Sequence, residues 1–484
     1  MLKKSLALLL GICLTFSLVG CQGSDKSASG QSGSSTQGND GASESSAAGE
    51  DAGAGQAAST GDVTVSFYSW SAGAEQEFDQ AICDQYQAEH PGVTIEANFI
   101  PYSEYLSKIN TMAAADSMPE VFKLPEGSVL EWGTKGAVLD LEPLYEKAGF
   151  DPDTEMVSTT VFRAGDGIWG VGCNVTTLAL YYNKEIFAQN GIEMPSTDAE
   201  NPWTWDEFVE NAKKLTKDAN GNTPNDEGFD EESVSVYGTM MPTDWNVFMP
   251  LMYTNDAGIA NEDGTELLIN TQAGLEVLQA IADLSLVHKC APTVAMAKGA
   301  FSDKSAMLMN GQLAMAIDGA WALGNYANEG YDVGVAQIPM FKHPANMSWG
   351  AGVCMSPKSA QNEAAFDFFR YYTEFENAIS TSENAGVALG GLPHTLNIFD
   401  GGENEKAWAA TYTKVDESAN CEAFKNILQQ KDTRLGENVS LKNFPAIVDN
   451  TIVPLLDNVW LGETSAAEAL SGLDVSGQLQ GTWE

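Results

Sequence analysis

Two hydrophobic periods alternate along this chain. Val63-Thr64-Val65-Ser66-Phe67-Tyr68 alternates apolar with polar positions, the period of a half-buried strand. From Glu75 to His90 the apolar residues Phe78, Ile82 and Tyr86 recur at intervals of four, which lays one stripe along a helix. Pro91-Gly92 stops that helix, and Val93 to Ala97 resumes a strand. The same rhythm predicts helices over 206–215, 273–287 and 362–374, and strands over 313–317 and 333–338. Strand–helix–strand units of this kind build an α/β domain with a parallel or mixed sheet. Thr204 with Glu207, and Ser465 with Glu468, have the spacing of capping boxes at helix starts.

The first sixty residues break the pattern. After Lys3 and Lys4, the apolar run from Leu6 to Val19 is shorter than the roughly 20 residues a membrane span needs. It reads instead as the core of an export signal over residues 1–20. The run ends in Leu18-Val19-Gly20-Cys21, which resembles a bacterial lipobox and implies that Cys21 becomes the lipidated first residue of the mature chain. Residues 22–61 are almost all Ser, Gly, Ala, Gln, Thr, Asp and Glu, with no aromatic side chain, so they form a disordered tether. The expected location is the outer face of the cell membrane, with the lipid as the only membrane contact.

The remaining stretch, Asp62 to Glu484, exceeds what one hydrophobic core usually supports, so two lobes are expected. The chain carries 67 acidic residues against 24 basic ones, a formal charge of −43. Nucleic acid is excluded as a partner, because phosphate binding needs a basic footprint. Cys83, Cys173, Cys290, Cys354 and Cys421 form an odd set without CxxC spacing, which reads as separate thiols rather than a disulfide framework.

Several ordered blocks resemble the maltose-type, or family 1, extracellular solute-binding proteins of ABC importers. Tyr105 to Ala114 followed by Met118-Pro119-Glu120-Val121-Phe122 is similar to the family's helix and "PDVF" strand. Gly136 to Leu141 looks like its "G-x-L-x-D-L" turn. Tyr181 to Phe187, then Pro202 to Phe208, is similar to "yYNK-x-x-F … P-x-TW-x-E-F". Gly311 to Trp321 resembles "G-x-x-A-M-x-x-x-G-x-W". The resemblance implies an α/β, two-lobed, type II periplasmic-binding-protein-like fold hinged by crossover strands, with a ligand in the interlobe cleft. It implies crossings near Gly172, Trp349 and Leu389. The N-terminal lobe is then 62–172 plus 349–390, and the C-terminal lobe 173–348 plus 391–484. The implied role is capture of a carbohydrate, an oligosaccharide above all, by a monomer that delivers it to ABC permease subunits.

Sugar rings offer apolar C–H faces within a girdle of hydroxyls, so a site needs flat aromatic platforms and a few convergent polar groups. Among eleven Trp, four sit where strands should end in turns or crossings: Trp70, Trp245, Trp321 and Trp349. Trp132, Trp203, Trp205 and Trp408 are assigned to packing or surface. The resemblance places the family's stacking Trp at Trp321. It also places Thr176 at a cleft position that is a carboxylate in maltodextrin binders, a departure that leaves the identity of the sugar open. Glu75 follows Trp70, Asp318 precedes Trp321, Lys123 and Glu126 follow the "PDVF"-like strand, and His394 closes the Gly390 to His394 turn; all are candidates to line the cleft.

Asp218, Asn220, Asn222 and Asp226 place oxygen ligands at positions 1, 3, 5 and 9 of a loop, as a structural calcium ion would need. Thr223 stands where an EF-hand has Gly and Phe229 where it has Glu, so a plain Asn/Gly turn is the other reading. No other cofactor is expected. Gly165 to Gly170 matches GxGxxG, but a strand rather than a helix follows, which fails the dinucleotide context and leaves a hairpin turn. No GxSxG elbow is present, and the four His lack metal-ligand spacing, so no enzyme is expected. The alternatives are a binder of another small solute such as a polyol phosphate, and a surface glycosidase or cell-wall-binding lipoprotein.

Overall fold

The computed structural model describes residues 63–479 apart from 300, 330, 362, 388, 390, 396–401, 411–416 and 476. The segments expected to be an export signal and a tether, with Cys21 between them, lie outside the described residues.

Thirteen strands are described: β1 (Val63–Ser69), β2 (Val93–Phe99), β3 (Val121–Leu124), β4 (Val161–Ala164), β5 (Gly167–Gly172), β6 (Thr176–Asn183), β7 (Lys217–Asp218), β8 (Val234–Val236), β9 (Met315–Gly319), β10 (Val333–Ala336), β11 (Asn346–Trp349), β12 (Gly352–Met355) and β13 (Thr433–Leu435). The first sheet has the order β2-β1-β3-β12-β5-β4. Its β1 lies parallel to β2 and β3, which requires a crossover, and helix Ala74–Glu89 supplies the first one. That helix turns Phe78, Ile82 and Tyr86 inward, as their spacing predicted, onto Val65, Phe67 and Phe368.

The second sheet runs β10-β6-β11-β13, with β9 also paired to β6. All eight residues of β6 are buried, so this strand is covered on both faces and reads as a continuous run rather than an alternation. Its second core gathers Phe248, Leu251, Ile281 and Trp460 from helices Trp245–Tyr253, Gln272–Leu286 and Val453–Trp460. The predicted strand 313–317 is observed two residues later. Leu313 bridges Tyr237 and Ala314 donates its amide to the Tyr237 carbonyl, while the paired register with β6 begins at Met315 opposite Tyr182.

Two sheets make a two-lobed α/β molecule joined by crossing segments. The chain leaves the first sheet at Gly172 and enters the second at Thr176; it returns between Trp349 and Gly352. Val175 also bridges to Leu392 of a third segment. These segments pack around Asn174 so tightly that side chains are excluded. A Cβ on Gly350 would lie 2.4 Å from the Asn174 carbonyl oxygen, and one on Gly391 2.6 Å from the Asn174 side chain. Both capping boxes form. Residues 165–170 lie in the β4–β5 hairpin, with Gly165 at φ 61°. Cys83, Cys290 and Cys354 are buried free thiols, Cys173 is a half-buried one, and Cys421 is buried. Among the described residues no helix is long and apolar enough to cross a membrane.

Candidate functional site

Strand register brings the candidates to one region. Thr176 opens β6 and pairs with Trp349 on β11, while Gly319 at the end of β9 pairs with Leu178. The second sheet therefore presents Thr176, Trp349 and the Gly319–Trp321 turn at its crossing end. In the first sheet Gly352, just past the return crossing, pairs with Leu124 at the end of β3. Because β1 is parallel to β3, Trp70 after β1 and Glu126 after β3 sit at that same end. The two sheets thus direct their loops toward each other across the crossings.

On the second sheet, Trp321 is 39% exposed, and its ring folds back over Gly319, where a Cβ would lie 2.1 Å from the indole. It meets Trp349 edge-on, with centroids 6.1 Å apart at 66°. Trp349 is only 6% exposed and buttresses Trp321 rather than offering a free face. The Thr176 hydroxyl is buried and has no partner among the described residues. Asp318 is turned away from this surface: it accepts its neighbour's Gly319 amide at 2.9 Å and pairs with Lys304 at 3.3 Å, so it shapes the turn before Trp321. Trp245 starts its helix and packs edge-on to Phe444.

On the first sheet, half-buried Trp70 is boxed by Tyr105 and Tyr102, with centroids 5.3 and 5.7 Å away. Tyr102 is 58% exposed, so it extends this aromatic surface outward. Beneath lies a buried polar network. Lys123 donates to Ser71 Oγ at 3.1 Å, Glu75 Oε1 at 3.1 Å and Asp79 Oδ2 at 3.0 Å. Those three bonds use every ammonium hydrogen, so Lys123 holds none for a ligand. This corrects the expectation that it lines the cleft. Glu75 is its partner rather than an independent ligand group. Burial alone would lower the Lys123 pKa, yet Asp79 and Glu75 hold it well above the ordinary lysine value. Asp79 also accepts from Ser69, Ser71 and Tyr372. Lys123 Nζ lies 5.9 Å from the Trp70 ring centroid, so the network fixes the floor under that indole. A cavity of about 20 Å³ beside it, room for a single water, is lined in part by Cys173, Tyr372 and Gly391.

Glu126 faces the other lobe. Asn438 donates its Nδ2 to Glu126 Oε1 at 2.5 Å, and a Cβ on Gly127 would lie 2.6 Å from the Asn438 carbonyl. Burial pushes the Glu126 carboxyl up to about 7.

His394 is a second correction. It is fully buried, donates Nε2–H to the Thr373 carbonyl at 2.7 Å and packs edge-on to Phe375, so it pins its turn from below. Burial lowers its pKa to about 4, which keeps the ring neutral. In the Asp218 loop, Asp218 accepts four N–H donors, from the Asn220, Asn222 and Asp230 amides and the Asn222 side chain. Asp226 is held by Thr223. A cation entering this loop would have to displace those donors. Among the described residues no group of three or more His, Cys, Asp and Glu is placed to hold a metal. An open groove of about 950 Å³, lined by Trp203, Met194 and Glu210 among others, adjoins helix Lys184–Asn190. That helix follows the end of β6 remote from Thr176, so the groove is not the candidate site.

Tyr102 and Asn438 escaped the sequence reading. Tyr102 follows β2 through Pro101 and obeys the same strand-end rule that selected Trp70; Asn438 carries no local signal, because only tertiary folding brings it to Glu126.

A family model described as bacterial extracellular solute-binding protein matches residues 69–379. The chain is 26% identical over 284 residues to an sn-glycerol-3-phosphate-binding periplasmic protein of Brucella abortus, covering 57% of this chain and 61% of that protein. It is 24% identical over 245 residues to an arabinooligosaccharide-binding protein of Halalkalibacterium halodurans, covering 49% and 50%. The chain thus spans less than two thirds of the length of these relatives. Among solved structures, the substrate-binding protein Lmo0181 of Listeria monocytogenes, in complex with cycloalternan, superposes with a TM-score of 0.71 at 24% identity, over 86% of this chain and 98% of that one. UgpB of Mycobacterium tuberculosis, in complex with glycerophosphocholine, gives 0.68 at 18% identity, over 87% and 98%. These structural likenesses speak to the fold. The family match spans more than half of the sequence, and the chain belongs to the bacterial extracellular solute-binding proteins.

Proposed function

We propose that this chain captures a carbohydrate, an oligosaccharide, between its lobes and hands it to the permease subunits of an ABC importer. It acts as a monomer, performs no chemistry on the ligand, and is held on the outer face of the membrane by a lipid on Cys21. The observation that carries this reading is an aromatic surface at the crossing end of each sheet: Trp321 braced by Trp349 on one, and Trp70 with Tyr102 on the other. Indole and phenol faces suit the C–H faces of pyranose rings, and closure around them excludes water. The arabinooligosaccharide-binding relative supports the same ligand class.

A glycerol phosphate is the second reading, favoured by the name of the Brucella relative. A phosphate asks for a free cation. Near the crossings Lys123 is committed to Ser71, Glu75 and Asp79, and Lys304 pairs with Asp318, so the oligosaccharide is preferred. Calorimetric titration of the mature protein with arabino-, malto- and xylo-oligosaccharides, glycerol 3-phosphate and glycerophosphocholine separates the readings. Binding of an oligosaccharide without hydrolysis supports the proposal. Saturation by a phosphate ester alone, or release of shorter sugars, refutes it. Loss of fatty-acid labelling in Cys21→Ser tests the anchor.

A further inference from the structure

Besides the crossings, the lobes meet where the start of helix Glu126–Thr134 touches the short turn Glu437–Ser440. The Asn438 side-chain amide donates to one Glu126 oxygen, yet its own Oδ1 is buried and has no partner among the described residues. A carboxylate has only acceptors and cannot satisfy that oxygen. A carboxylic acid can: its carbonyl accepts the Asn438 Nδ2–H while its hydroxyl donates back to Oδ1, closing a ring of two hydrogen bonds. A buried acceptor left unpaired is costly, so the docked lobes favour the neutral acid.

We propose that Glu126 and Asn438 form a proton-linked clasp between the lobes. On docking, Glu126 takes one proton from bulk water and donates it in a hydrogen bond to Asn438 Oδ1; on separation of the lobes the proton returns to water. The surroundings agree. Tyr102, on helix Tyr102–Ala114, is the phenol that faces Glu126, with Asp449 also near it. Asp449 lies in the following Val448–Ile452 turn, and Pro445 sits against Gly127. Glu437, next to Asn438, turns its carboxylate onto the Ile259 and Ala260 amides. Lys123, on the strand before Glu126, is committed to its own network. Among the described residues no cation pairs with Glu126. Burial raises its carboxyl to about 7, against the lowering pull of its own backbone amide and of Asn438.

The sign follows. A carboxyl whose docked pKa lies above its open value favours the docked state at low pH. That preference is complete below about 4.3, the ordinary glutamate value, and is lost as pH rises through about 7. Within that window the docked-to-open ratio gains up to about tenfold per pH unit of acidification. The clasp concerns lobe movement and holds for any solute, so its failure leaves the carbohydrate reading intact.

Small-angle scattering of the ligand-free mature protein at pH 5.5 and 8.5 tests it. The wild type is expected to be compact at pH 5.5 and more extended at 8.5. Glu126→Gln, whose amide can both accept from Nδ2 and donate to Oδ1, should stay compact at both. Asn438→Ala should be extended at both, with circular dichroism showing that each variant is folded. Superimposable wild-type curves at the two pH values overturn the proposal, as does a Glu126→Gln variant that expands like the wild type.

Discussion

Replacing Lys123 with Met probes the network beneath Trp70. The side chain is 1% exposed and so is Asp79, its ion partner 3.0 Å away. Without Lys123, Asp79 is a buried carboxylate with no ionic partner among the described residues, and protonation is its escape. Holding an ordinary carboxyl of pKa about 3.9 neutral at pH 7 costs about 4 kcal/mol, at 1.36 kcal/mol per pH unit. The hydroxyls of Ser69, Ser71 and Tyr372 still donate to Asp79, so the expected loss is about 3 kcal/mol, the low end for a broken buried pair. Urea unfolding followed by Trp fluorescence measures it. Lys123→Met should lose about 3 kcal/mol at pH 7.5 and regain part of it as pH falls, because its fold then binds a proton that the unfolded chain does not. Lys123→Met with Asp79→Asn should recover most of the loss, since no lone charge is buried. A single variant within about 1 kcal/mol of wild type, or a double variant no better than the single one, refutes the reasoning.

Trp321→Ala should weaken oligosaccharide binding about 5- to 30-fold, the equivalent of a lost aromatic contact of about 1–2 kcal/mol, with a small change in melting temperature because the ring is exposed; titration calorimetry and thermal melts separate the two effects. Gly350→Ala drives a methyl onto the Asn174 carbonyl and should destabilise the protein by about 1–3 kcal/mol, read from the denaturant midpoint. His394 has a depressed pKa, so the unfolded chain takes up its proton first as pH falls. Its contribution is intact above about 6.5 and is lost progressively toward pH 4, by up to about 3 kcal/mol. The stability difference between wild type and His394→Gln should therefore shrink over that range, and a difference constant with pH would contradict the buried, neutral ring.

Local periodicity made most of the fold legible. Phe78, Ile82 and Tyr86 defined a helix face, and both capping boxes announced helix starts that the structure contains. The strand at 313–317 slipped because pairing partners, not local pattern, decide where a strand begins; Ala314 divides its backbone bonds between Tyr237 and Asn183, and the register with β6 starts at Met315. At the site, strand-end aromatics were visible: Trp70 directly follows β1, and Trp321 lies two residues beyond β9. Charged candidates fared worse. Lys123 and Asp318 bear charges that a one-dimensional reading assigns to a ligand, whereas their partners, Asp79 and Lys304, are supplied by the fold. Asn438 meets Glu126 across 312 positions of sequence, beyond any local signal.

A crystal structure of the mature protein with a bound oligosaccharide tests the central claim most directly. The account predicts a pyranose ring stacked on the exposed face of Trp321, with Trp70 and Tyr102 closing from the opposite lobe. A sugar seated in the Trp203 groove, or in a cleft where no indole touches it, would contradict the account.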